Sequence, residues 1–133
     1  MQYKTLLKLL EIREEADGSK AVTIPFALFH KLVETALRSK AEFDEGFYLA
    51  ANPDVRNAVR TNKIASAGDH YYKAGFFEGR MPKRFQVDEE FYLDKNPDVV
   101  KAIKMRKVKT CQLHFETNGF REGRAPYDGF SLF

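Results

Sequence analysis

The sequence predicts a mainly α-helical fold: two tandem three-helix repeats offset by 44 residues, preceded by a β-hairpin and an amphipathic helix. Three observations predict it. The phrase Phe-Tyr-Leu followed by Asn-Pro-Asp-Val occurs twice, from Phe47 and from Phe91. Each occurrence runs on to a Gly-Phe pair and closes on Glu-Gly-Arg. Between Phe26 and Lys40, apolar residues recur at the spacing of one helix face.

At 133 residues the chain has the size of one ordinary domain, and its 12 Phe with no Trp make Phe and Tyr the main source of core area. The net charge is +3, and acidic and basic residues are interspersed. The exception is the run Lys101–Lys109, which carries five basic residues and no acid. Cys111 is the lone cysteine, so no intrachain disulfide staples the fold. The apolar run near the N-terminus is broken by Lys8 and followed by acids, unlike a signal peptide. No segment approaches the roughly 20 apolar residues of a membrane span. A cytoplasmic protein is expected.

Taken in order, residues 1–40 do not repeat and read as a docking or dimerisation segment. Leu10, Ile12, Val22 and Ile24 alternate around Asp17-Gly18, a hairpin signal. Leu6, Leu9 and Leu10 also fit an amphipathic helix over residues 3–15, and the turn residues favour the hairpin. After Pro25, Phe26, Phe29, Leu32, Val33, Ala36 and Leu37 line one side of a helix. A lone hairpin is marginal in water. It must lean on the repeats or on another copy of itself, which makes a homodimer an expected partner arrangement.

Residues 43–82 align with 87–126 without a gap, and 18 of 40 positions are identical. That identity marks two copies of one supersecondary unit, placed at 41–84 and at 85–133 with its C-terminal tail. Asp44 and Asp88 suit helix N-caps. Asn52-Pro53-Asp54 and Asn96-Pro97-Asp98 restart the chain, with Asn as cap, Pro at the first helical position and Asp near the positive helix end. Val55, Ala58 and Val59 form an apolar stripe, as do Val99, Ala102 and Ile103. Ser66 and Thr110 cap a third helix, which Gly75 and Gly119 are expected to end in the left-handed conformation. Neither unit is expected to bury its aromatic face without stacking on the other.

The pattern Asp-Glu, Phe-Tyr-Leu, Asn-Pro-Asp-Val and Ala, followed by His, Gly-Phe, Glu-Gly-Arg and Pro, resembles a short helical repeat of bacterial proteins. That repeat occurs in tandem beside glycosyltransferase or sugar-handling domains and in large cell-surface proteins. The resemblance implies a bacterial origin and an accessory or binding task linked to surface polysaccharide. It leaves out residues 1–40, and the second copy departs from it at Thr110-Cys111.

Several residues invite chemistry. His70 and His114 share a repeat position; two converging partners would make them metal ligands, and a hydrogen-bonded seam is the simpler role. Arg80 and Arg124 either bind a partner's carboxylate or phosphate or, with Glu78 and Glu122, pin their own loop. Asp54 and Asp98 have helix placement without a paired-carboxylate role. Cys111 reads as a small buried residue. Lys101, Lys104, Arg106 and Lys107 are either a solvated face or a contact for nucleic acid or an anionic polysaccharide. Tyr48, Tyr92, Tyr71 or Tyr72, if exposed, would stack on a saccharide. No nucleophile–base pair, metal set or cofactor motif is present, so no catalytic, cofactor-binding or metal residue is assigned. The sequence therefore favours a non-catalytic bacterial interaction or adaptor protein with a protein partner. A nucleic-acid-binding regulator and a saccharide-binding accessory module are its alternatives.

Overall fold

Helices dominate the chain, and a two-stranded antiparallel hairpin near the N-terminus accompanies them. A computed structural model describes residues 3–131. Met1, Gln2, Leu132 and Phe133, the outer ends of the expected N-terminal segment and C-terminal tail, lie outside the described residues, as do the side chains of Tyr3 and Leu6. The chain divides into two units, Met1–Ser39 and Lys40–Phe133.

In the first unit, α1 (Tyr3–Lys8) is followed by β1 (Glu11–Glu14), β2 (Lys20–Thr23) and α2 (Phe26–Lys40). Helix and hairpin, set against each other over residues 3–15 by the sequence, are consecutive elements. The strands pair with Ile12 opposite Val22 and Glu14 opposite Lys20. Gly18 makes the turn at φ +81°, where its N–H donates to the Glu15 carbonyl at 3.0 Å. The Asp17 carboxylate accepts from the Ser19 N–H at 2.9 Å and fixes the same bend. On α2, Leu37 is buried, and Lys31 and Arg38 both hydrogen-bond to buried Glu34. Val33 is half-buried, and the other residues of the expected face depart from the prediction: Phe26 (73% exposed), Phe29, Leu32 (55%) and Ala36 face outward. Ile12 (51%) and Val22 (50%) are exposed as well.

The second unit opens with α3 (Glu45–Ala51), α4 (Pro53–Arg60) and α5 (Ala67–His70), the last continued by a π-helical turn over Tyr71–Gly75. It goes on with α6 (Glu89–Lys95), α7 (Pro97–Lys104) and α8 (Cys111–His114), continued by a π-helical turn over Phe115–Gly119. Four N-caps are those the sequence expects. Asp44 accepts from the Phe47 N–H at 2.9 Å and Asp88 from the Phe91 N–H at 3.1 Å. Ser66 and Thr110 accept from the Asp69 and Leu113 N–H groups. Helices α4 and α7 end alike. Asn62 and Arg106 take the left-handed conformation at φ +55° and +56°, and the Lys63 and Lys107 N–H groups reach back to the Ala58 and Ala102 carbonyls at 2.9 Å.

Two aromatic clusters form. Phe43 stacks on Tyr71 and meets Tyr48 and Tyr72, while Tyr71 also meets Tyr48 and Phe76 edge-on. The other cluster is Phe85, Val87, Tyr92, Val99, Cys111 and Phe115, with Phe120 and Phe130 packed against it. Tyr48, Tyr71, Tyr92 and Phe115 are fully buried. Each cluster draws most of its rings from one stretch. The ring contacts of Tyr48 and Tyr71 close within residues 43–76, and Met81 is the member of the later cluster drawn from before residue 85. Each stretch also ties its start to its end: the Asp44 N–H donates to the Pro82 carbonyl at 3.0 Å and the Asp88 N–H to Pro126 at 2.9 Å.

The Tyr71 hydroxyl is buried with no hydrogen-bond partner among the described residues. Forty-four residues on, the corresponding side chain is Phe115, which needs none. An unsatisfied buried hydroxyl costs about 1–3 kcal/mol. Tyr71→Phe should therefore stabilise the protein by roughly 1 kcal/mol, read as a higher urea midpoint at unchanged slope. A lower midpoint would mean that the hydroxyl holds a buried water.

Candidate functional site

The residues offered as chemistry gather into two networks of the same design. In the earlier one the Tyr48 hydroxyl and His70 Nδ1 share a hydrogen bond of 3.0 Å. Asn52 donates its amide N–H to the Tyr48 carbonyl at 2.8 Å, which ends α3. Its amide oxygen accepts from Arg80 Nη1 at 2.9 Å. Arg80 then grips Asp54 with both terminal nitrogens, at 2.9 and 2.8 Å, and Glu78 through Nε at 2.6 Å. In the later network Tyr92 pairs with His114 at 2.9 Å, Asn96 with the Tyr92 carbonyl at 2.7 Å, and Arg124 with Asn96, Asp98 and Glu122.

These partners revise several expectations. Asn52 and Asn96 make no side-chain bond to the helices that follow them; they satisfy the carbonyls left open by the helices that precede them. Gly75 and Gly119 are not left-handed. A Cβ on Gly75 would stand 2.0 Å from the Tyr48 hydroxyl, and one on Gly119 would stand 2.2 Å from that of Tyr92. The glycines that turn left-handed in these networks are Gly79 and Gly123, at φ +69° and +72°, inside the Glu-Gly-Arg turns. There they swing the arginine back onto the preceding Asn-Pro-Asp corner.

As binding residues, Tyr48 and Tyr92 are corrected: full burial leaves neither ring a face for a saccharide or a protein, and Tyr71 shares that fate. Burial pushes both phenols up to about 12, so they stay protonated hydrogen-bonding partners at neutral pH. Arg80 and Arg124 spend all three guanidinium nitrogens on their own loop and helix corner, which fits the loop-pinning role. Cys111 packs in the later cluster, and burial raises its thiol. Lys101, Lys104, Arg106 and Lys107 are exposed on α7 and the turn after it. Among the described residues, no three His, Cys, Asp or Glu side chains converge to hold a metal ion.

Sequence reasoning missed Gln112. Its amide donates to the Phe85 carbonyl at 2.8 Å and its oxygen accepts from the Val87 N–H at 2.9 Å, which anchors the strand-like lead into α6. The residue 44 positions earlier is Gly68, on α5, where an added Cβ would stand 3.6 Å from the Phe43 ring. That exchange of an amide for a ring was the signal available in the sequence.

The arginine hydrogen bonds hold Asp54 and Asp98 down to about 2. A carboxylate lowered in the folded state stabilises above its ordinary value and loses that contribution as pH falls through the folded value. Thermal midpoints should therefore fall from about pH 4 towards pH 2. Asp54→Asn with Asp98→Asn should flatten that part of the profile while lowering the midpoint at pH 7. An unchanged slope in the double variant would assign the acid sensitivity to other carboxylates.

No family model, curated protein or solved structure matches this chain. No helix among the described residues is long and apolar enough to cross a membrane.

Proposed function

We propose that the chain is a non-catalytic bacterial interaction protein. Residues 41–84 and 85–133 act as two copies of one helical unit, carried on a docking segment, residues 1–40, that joins two chains into a homodimer. The observation that carries this reading is the apolar surface of the first unit. Ile12 and Val22 sit opposite each other on the hairpin, and Phe26, Phe29 and Leu32 follow on α2, all exposed. Monomeric proteins rarely leave so many large apolar side chains in water within one short segment. A two-stranded sheet also needs a further surface to be stable.

The non-catalytic reading is supported by the saturation of the Tyr–His and Asp–Arg groups with one another. The resemblance to bacterial repeats adds an accessory role in the regulation of surface polysaccharide, and the sequence's lack of a signal-peptide pattern adds a cytoplasmic setting with a protein partner. The mass of the full chain in solution tests the dimer. Wild type should run as a dimer, and Phe26→Glu with Leu32→Glu should run as a folded monomer. A wild-type monomer, or a variant of unchanged mass, sinks the proposal.

A further inference from the structure

The turn that ends α7 differs in surface chemistry from the turn that ends α4, although the two backbones are built alike. In both, the N–H of the first residue after the helix donates to the carbonyl four residues back, from Thr61 to Asn57 and from Met105 to Lys101, at 3.0 Å. In both, the next residue is left-handed and the one after it donates five residues back. The fold thus needs nothing beyond what Asn57, Arg60, Thr61, Asn62 and Lys63 supply. In their place α7 has Lys101, Lys104, Met105, Arg106 and Lys107, with Lys109 where Ala65 stands.

Two of these exchanges run against local stability. Asn tolerates the left-handed region, and Arg does not share its local hydrogen bonding there. Thr61 returns its hydroxyl to the Asn57 carbonyl at 2.9 Å; Met105 has no such group and stands 53% exposed. The five cations are exposed and form no ion pair among the described residues, whereas Lys73, Arg80, Lys83, Arg84, Lys95 and Arg124 of the same unit all have acidic partners. A residue set that gives up a helix end to present positive charge around one bare thioether is suited to a partner that is both anionic and apolar.

We infer that Lys101, Lys104, Met105, Arg106, Lys107 and Lys109 form a docking surface for an anionic lipid bilayer. The phosphates of the headgroups meet the cations, and Met105 enters the boundary between headgroups and acyl chains. A nucleic-acid backbone offers the same phosphates and no apolar layer for Met105, so it is the less favoured partner. This surface lies apart in sequence from the segment proposed to dimerise, and solution mass measured on the same samples keeps the two proposals separate.

The test is co-sedimentation of the full chain with vesicles of phosphatidylcholine alone and of equal parts phosphatidylcholine and phosphatidylglycerol. Binding is expected to the second alone and to weaken as salt rises. Each neutralised cation should lower the partition coefficient roughly five-fold. Lys101→Gln, Lys104→Gln, Arg106→Asn and Lys107→Gln together should abolish sedimentation. Arg106→Asn restores the residue found at position 62, which safeguards the fold. Met105→Thr, which restores the residue found at position 61, should weaken vesicle binding several-fold and leave binding to a DNA duplex unchanged. The inference is overturned if the chain ignores both vesicles or binds both equally. It is equally overturned if Met105→Thr binds the anionic vesicles as wild type does, which would mark a site for phosphate polymers.

Discussion

Gly75→Ala is expected to destabilise the protein by about 2–3 kcal/mol, although alanine is the better helix former. The added methyl would stand 2.0 Å from the Tyr48 hydroxyl and 3.2 Å from its ring carbon. That phenol is fully buried and held by His70 at 3.0 Å, so it cannot swing aside into water. Overpacking costs about 1–3 kcal/mol, and the lost hydrogen bond adds about 1 kcal/mol. Helix propensity returns at most about 1 kcal/mol. Removing the hydroxyl should relieve the clash. In a double-mutant cycle, Tyr48→Phe with Gly75→Ala should be markedly less destabilised than the sum of the single changes. Simple additivity in urea denaturation would mean that the glycine serves some need other than this close approach.

Phe115→Ala should cost more, about 3–5 kcal/mol, the range for emptying a buried aromatic site. Its ring is fully buried and touches Phe85, Tyr92 and Phe120. Against a typical stability of 5–15 kcal/mol, such a loss brings the folded state close to failure. The cluster around Tyr71 draws its ring contacts from Phe43, Tyr48, Tyr72 and Phe76. Below the melting transition, the NMR signals of those rings should therefore keep their wild-type positions in the variant. Wholesale movement of the Phe43 and Tyr48 resonances would show the two clusters to be one core.

What the sequence made legible is what short-range rules govern. Asp44, Ser66, Asp88 and Thr110 cap the helices they were expected to cap, because an N-cap needs only its next three residues. Pro53 and Pro97 start helices for the same reason. Partners that lie far along the chain were not paired in advance. Tyr48 meets His70 at a separation of 22 residues and Asp54 meets Arg80 at 26, and the same separations join Tyr92 to His114 and Asp98 to Arg124. Identical residues held at identical separations in both stretches were the available clue. Helical periodicity placed α2 but was no guide to its burial. It locates an apolar stripe on Phe26, Phe29 and Leu32 and says nothing of whether the chain's own residues cover it.

The bonds from Asp44 to Pro82 and from Asp88 to Pro126 bring the entrance and the exit of each stretch together. A stretch closed in this way has its first and last residues at one anchor, so a change that loosens either end is felt at the other.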